Sequence, residues 1–312
     1  MIRMNDHLAR RFIRDFGLPI PIESAKLLDY YVELYDKVYD TKRKYKIFKE
    51  CLKDFNTEEQ FFEYRNGIVH DIVEHFENHP SYRIFNESKD KYNELFNIPK
   101  ENITKNLYSP LNADKYYVSI DLREANFTVL KNLDKSMVFN ADSYEEFIKN
   151  FNPLSNEYFG ITKHMRQSIL GKLNSKKIVK RAKYLLDNYI ILPIVDKQRV
   201  LDINQIRNFN HDEYVFEVTL DFKPDSIKIP DYWKSDVKVS MFYLKQIEPY
   251  NFFVKMYFKS DSERKYDFKG VNVNLFPQVY KHYFGLEIED KDLMFTSDSG
   301  LKAKYIEALK WS

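Results

Sequence analysis

The apolar residues change their period from about 3.6 to 2 at Lys115, and that change restricts the possible folds more than any other feature of the chain. In KYYVSIDL, Val118, Ile120 and Leu122 alternate with Tyr117, Ser119 and Asp121, which predicts a strand with one apolar face and a carboxylate at its end. Residues 1 to about 100 read mostly as helix. Pro19 and Pro21 punctuate an N-terminal arm, after which Leu27, Leu28, Tyr31, Leu34, Tyr35 and Val38 follow helical spacing. Thr57 and Gln60 fit a capping box, and Phe61, Ile68, Val69, Ile72 and Phe76 then share one face. The pattern loosens from Asn97 to Asn112, around Pro99 and Pro110.

Beyond the strand, a helix is expected from Glu124 to Leu133, another behind the cap formed by Ser143 and Glu146, and a basic one from Thr162. Gly171 and Asn174 suggest a break before a second basic helix over Ser175 to Asp187. After Leu192, VLDINQIRNF, a polar corner at Asn210 to Glu213 and YVFEVTLDF predict a hairpin with acids at its tip. VKVSMFYL and NFFVKMYF add strands, and a helical stretch closes the chain. The expected fold is therefore α+β. A helical subdomain covers residues 1–105, and an antiparallel sheet domain covers 106–312, with a basic helical insertion at 158–188.

Several function classes are excluded. The longest apolar run, Tyr189 to Val195, has seven residues and contains Pro193, far short of the roughly 20 that span a bilayer. The N-terminus is charged where an export signal is apolar, so a cytoplasmic location is expected. A single cysteine, Cys51, leaves no disulfide framework and no cysteine-rich zinc site. With 7 glycines, neither GxGxxG nor GxxxxGK[ST] occurs.

The net charge of +2 conceals an uneven distribution. No carboxylate lies between Glu157 and Asp187, while Lys163, Arg166, Lys172, Lys176, Lys177, Lys180, Arg181 and Lys183 do, leaving the remainder at −6. Such a block suits a polyanion, and it reads equally as a solvated helix face. Its place in the chain adds information. It stands between Asp121 and the pair Asp212–Glu213, with 42 residues separating Asp121 from Lys163 and 49 separating Lys163 from Asp212. Two carboxylates on adjacent antiparallel strands can share Mg²⁺ ions that activate a 3′-hydroxyl and stabilise pyrophosphate, and a cationic helix opposite them would hold a triphosphate.

At these residues the chain resembles template-directed polymerases with a right-hand palm, DNA polymerase families A and B. YVSIDLREANF is similar to motif A. Lys163 to Gly171 resembles the family B fingers motif, with Gln167 and Leu170 where Asn and Tyr are usual. His211-Asp212-Glu213 is similar to the family A motif C. Lys255-Met-Tyr257 and Phe268-Lys269-Gly270 resemble the elements that grip the new duplex. The resemblance covers about residues 115 to 270. It implies a palm-like sheet and a nucleotidyltransferase acting on a primer or template strand, DNA or RNA, with nucleoside triphosphates and Mg²⁺ or Mn²⁺. A partner subunit is also credible in a chain this short.

The resemblance makes Asp121 and Asp212 metal ligands and Glu213 an auxiliary catalytic carboxylate. Lys163, Arg166, Gln167 and Gly171 would contact the incoming nucleotide, while Lys172, Lys176, Lys177, Lys180, Arg181, Lys255, Tyr257 and Lys269 would contact nucleic acid. Plainer roles stay open: Asp121 as an N-cap of the next helix, Lys255 and Lys269 as surface lysines, Tyr257 as core. The alternative function is a non-catalytic nucleic-acid-binding replication or transcription factor. A third constellation, His75 and His79, has the i, i+4 spacing of a metal-binding hydrolase pair.

Overall fold

The computed structural model describes residues 2–89, 106–258 and 264–311, so most of the looser stretch expected from Asn97 lies outside the described residues. Five helices open the chain: α1 (Asp6–Phe16), α2 (Ala25–Tyr39), α3 (Thr41–Leu52), α4 (Glu58–Asn78) and α5 (Pro80–Glu87). The Thr57 side chain accepts from Gln60 N at the start of α4, as its spacing predicts. A six-stranded antiparallel sheet follows, with helices between its strands, so the chain is α+β.

The strands are β1 (Lys115–Leu122), β2 (Ile206–Phe209), β3 (Glu213–Val218), β4 (Val237–Ile247), β5 (Phe252–Phe258) and β6 (Arg264–Lys269), in the order β2-β3-β1-β4-β5-β6. Between β1 and β2 lie α6 (Ala125–Leu133), α7 (Tyr144–Ile148), α8 (Glu157–Ile161), α9 (Lys163–Lys172) and α10 (Ser175–Leu185). α11 (Phe276–Tyr283) and a small hairpin, β7 (Met294–Thr296) with β8 (Lys302–Lys304), complete the chain. The closing stretch is thus a helix followed by a hairpin.

One expectation needs correction. The strand expected after Leu192 begins late: α10 continues as π-helical turns over Leu186–Ile191 and Pro193–Gln198, and within VLDINQIRNF a 3₁₀ turn covers Ile203–Gln205 and only Ile206–Phe209 pairs. Apolar side chains such as Ile190, Ile191 and Ile194 are buried from a helix there, because a short apolar run fits either element.

The pleat assigns the two sheet faces different tasks. Val118, Ile120 and Leu122 of β1, with Tyr214 and Phe216 of β3, join the buried residues of α1 to α10 in one continuous hydrophobic cluster. The N-terminal helices and the sheet therefore share a core, with no break in it at the expected boundary near residue 105. On the opposite face Tyr117, Val215, Phe242, Leu244 and Phe253 form a smaller cluster with Leu107, and beyond it that face becomes polar.

Buried ion pairs fix the elements around the sheet. Asp15 of α1 is fully buried and accepts from Tyr158 and Arg11, tying α1 to α8. Lys131 of α6 donates to Asp236 Oδ1 at 2.5 Å and to the Asp142 carbonyl at 3.1 Å, while the Asp236 carbonyl accepts from Arg123 N at 2.8 Å. Both side chains are buried. Asp236→Ala strands the Lys131 ammonium and is expected to cost about 3–5 kcal/mol in urea unfolding, whereas Asp236→Asn, which keeps an acceptor, costs less.

Candidate active site

β1 is paired on both sides, so its last polar residue is fixed from two directions. Asp121 stands opposite Glu213 of β3 and opposite Lys238 of β4. It lies on the face turned away from the helical core, because Ile120 and Leu122 claim that core. One residue later the Leu122 amide donates to the Asp212 carbonyl at 2.7 Å, which extends the ladder into the β2–β3 turn. That turn is built by Asn210, whose side-chain oxygen accepts from Asp212 N at 3.0 Å and Glu213 N at 2.8 Å. The predicted hairpin with acids at its tip is present.

Opposite the acids stands α9. Its Met165 and Ile169 are buried, and His164 contacts Arg11 at 3.2 Å, so the helix is held against α1. Lys163, Arg166, Gln167 and Leu170 occupy positions i, i+3, i+4 and i+7 and therefore share its other face. These four residues, with Asp121, Glu124, Ala125, Asn126 and Asp212, line a cleft of about 340 Å³. Five of the residues singled out from sequence, Asp121, Asp212, Lys163, Arg166 and Gln167, thus meet in one cavity although 91 positions separate the first acid from the second.

The electrostatics follow from the crowding. Burial is the largest cause holding Asp121 up to about 7, with the carboxylates of Glu213 and Asp212 adding to it against Lys238 and Lys255. Asp212 is raised too, first by burial and then by Glu213, with His211 and Lys163 opposing. Glu213 turns aside: it accepts from Ser119 Oγ at 2.5 Å and pairs with Lys255 at 3.6 Å, and it is not among the residues lining the cleft.

Glu124 is the residue that sequence did not single out. It sits at the N-cap of α6 with φ 48°, in the left-handed region that costs a non-glycine residue roughly 1–2 kcal/mol. Its side chain accepts from Arg166 with one oxygen and from the Tyr144 amide, at 3.0 Å, with the other. The Arg166 guanidinium also lies 5.8 Å from the centre of the Tyr144 ring. Arg166 is thereby held at the cleft wall. The signal was available only as an acid three positions after Asp121, and the N-cap proposed for Asp121 belongs to Glu124 instead.

The remaining expected contact residues are dispersed. A Cβ built at Gly171 would meet nothing within 4 Å, so packing does not require glycine there. Lys172, Lys176 and Lys180 are exposed. Lys177 is not part of a free basic surface: it donates to the carbonyls of Phe85 and Ser88 at the end of α5, orphan acceptors that a cation satisfies. Lys183 donates to Asp187 at 2.5 Å, and Arg181 to Asn132 at 3.3 Å. Lys255 is not a surface lysine, being buried with its ammonium 4.5 Å from the Phe242 ring centre. Lys269 pairs with Asp267 at 2.9 Å, and half-buried Tyr257 packs beside Phe242 with centroids 5.5 Å apart.

The histidine constellation has structural duties. His75 Nε2 lies 2.8 Å from the Met137 carbonyl and the ring stacks on Phe139, while His79 caps α5 by accepting from Ser81 N. Among the described residues no group of three or more His, Cys, Asp or Glu side chains is arranged to hold a metal ion, and no helix is long and apolar enough to cross a membrane. The chain matches no family model, no curated protein and no solved structure.

The raised Asp121 carboxyl gives a signed prediction. Between roughly pH 4 and pH 7 the folded chain keeps a proton that the unfolded chain has released, so this group lowers stability as pH rises through that window. Asp121→Asn removes the effect. Its Tm is expected to exceed the parent's by roughly 2 °C or more at pH 8, about the scale of 1 kcal/mol in a chain of this size, and to match it near pH 4. Equal melting at both values would show that neither burial nor the neighbouring acids raise the Asp121 carboxyl.

Proposed function

We propose that the cleft catalyses nucleotidyl transfer onto a nucleic acid primer, in the manner of a small palm-type polymerase. The observation that carries this is the meeting of Asp121, from the end of β1, and Asp212, from the β2–β3 turn beside it, with Lys163, Arg166 and Gln167 from one helix face. The sheet holds the acids and the helix holds the cations, so a triphosphate bound to α9 would face the carboxylates across the cavity.

Magnesium is compatible with this donor set. It keeps several waters and takes its other ligands from one or two carboxylates and the substrate's phosphates, so a preformed cage of three protein ligands is not required. Asp121 and Asp212 would hold it, and when bound it would supply charge stabilisation and a more acidic attacking hydroxyl. Two crowded acids whose protons are retained beyond the ordinary carboxylate range favour a cation that replaces those protons.

The remaining roles belong to the chain. Lys163 places a mobile point charge at the first turn of α9, and Arg166 offers the N–H groups that Glu124 does not use as a fork for phosphate oxygens. Gln167 lies one turn along from Lys163 and presents an amide to the base or sugar. Glu213, fixed by Ser119 and Lys255, keeps negative charge beside Asp121 without entering the cavity.

Primer extension with Mg²⁺ or Mn²⁺ tests the proposal. The parent is expected to extend, Asp121→Ala and Asp212→Ala to lose at least a hundredfold, and activity surviving both substitutions would overturn it. A protein that binds primer-template yet never extends it would instead be the non-catalytic binding factor. Arg166→Ala is expected to raise the nucleotide KM about tenfold or more, the scale of one charge-assisted hydrogen bond. Glu124→Asn, which tolerates the left-handed backbone, is expected to raise KM while leaving the melting temperature close to the parent's.

A further inference from the structure

Beside the end of α10 stands a row of aromatic rings, two of them open to solvent. Tyr189 is 46% exposed and Tyr232 60% exposed, an unusual state for rings in a chain that buries most of its aromatics. Tyr184 and Tyr189 have centroids 6.2 Å apart, Tyr189 and Trp233 5.9 Å, and Trp233 and Tyr232 5.3 Å. Trp233 is buried beneath the row and fixes it.

The helix geometry makes this row. Tyr184 and Tyr189 are five residues apart, a spacing that turns side chains about 140° from one another in an α-helix. From Leu186 the helix widens to π turns, which bring residues five apart onto the same side. The Asn188 side chain donates to the Tyr184 carbonyl at 2.8 Å within the widened turn. Such π segments frequently mark functional sites.

Cations lead into the aromatic row. Lys176 and Lys180 are exposed one turn apart on the side of α10 opposite its buried Ile178, Ala182 and Leu185, and Tyr184 lies one turn further along. Lys172, at the end of α9, is exposed as well. The Arg181 guanidinium sits 5.2 Å from the Tyr184 ring centre. Asp187 is buried and bonded to Lys183 and Tyr214, and Asp231, next to Tyr232, pairs with Lys234 at 2.5 Å. The track is thus cationic, then aromatic.

We propose that this surface, Lys172, Lys176, Lys180 and Arg181 followed by Tyr184, Tyr189 and Tyr232, binds single-stranded nucleic acid, with the cations along the phosphates and the rings against unpaired bases. Charge complementarity selects a polyanion, and exposed rings select one whose bases are free to stack, which excludes a paired duplex. None of these residues lines the cleft, so the inference goes beyond the catalytic proposal and does not require it.

Fluorescence anisotropy with fluorescein-labelled 20-nucleotide dT and U strands and a blunt 20-base-pair duplex, in EDTA and without nucleotide, tests it. The parent is expected to bind the single strands. Tyr189→Ala with Tyr232→Ala should weaken that binding roughly tenfold or more while changing duplex affinity less than twofold. Trp at both positions should restore it, which separates stacking from a folding defect. Changing Lys172, Lys176 and Lys180 to Gln should reduce the slope of log affinity against log salt by about 2. A parent that does not bind single strands, an alanine pair with parental affinity, or equal losses on single strand and duplex would each overturn the proposal. Because metal is absent throughout, a catalytically silent cleft would leave these results unaffected.

Discussion

The double pairing of β1 is the constraint on which the rest of the structure depends. A strand hydrogen-bonded on both edges cannot slip by one residue without moving Val118, Ile120 and Leu122 out of the helical core, so Asp121 has no alternative face. The same ladder, continued by Leu122 N to the Asp212 carbonyl, brings the β2–β3 turn beside it. The convergence of two acids so distant in sequence is therefore a consequence of register, enforced by apolar burial rather than by any attraction between them.

Their mutual interaction is in fact unfavourable. Burial and like charge both hold Asp121 and Asp212 above the usual carboxylate range, and the left-handed Glu124 adds backbone strain at the next turn. Burial elsewhere sustains this arrangement. The Lys131–Asp236 pair fixes the turn after β1 through Arg123 N, and the Asp15 cluster fixes α1 against α8 and α9. Unfavourable electrostatics concentrated in one polar cleft, inside a chain whose other buried charges are paired among the described residues, is the distribution expected when a site is kept for a ligand rather than for stability.

How much of this was legible depended on the range of the signal. The alternation of KYYVSIDL fixed both the strand and the side on which Asp121 lies, and the Asn210 corner gave the turn, because both are local patterns. Lys163, Arg166 and Gln167 were singled out through the resemblance to the fingers motif, and their i, i+3, i+4 spacing puts them on one face once α9 forms. Glu124 was not, since its importance comes from a left-handed backbone and from Arg166 and Tyr144, which lie 42 and 20 positions away. Lys177 looked like its neighbours in the basic block, yet its carbonyl partners belong to α5, some 90 residues earlier. The stretch after Leu192 read as strand because a short apolar run does not distinguish a buried helix from a buried strand, and Pro193–Gln198 proves helical.

The basic block, uniform in sequence, is divided by the fold into three kinds of cation. Lys177 and Lys183 satisfy carbonyls and a buried carboxylate, and so belong to the scaffold. Lys163 and Arg166 face the acids of the cleft. Lys172, Lys176 and Lys180 remain in solvent at the approach to the π-helical aromatic row. A merely solubilising helix face would need no such division, because solvation asks only that charges point outward. Separate placement of short-range and approach cations suits the proposed function, in which one set would neutralise the reacting phosphates and the other would hold the strand to which they are joined.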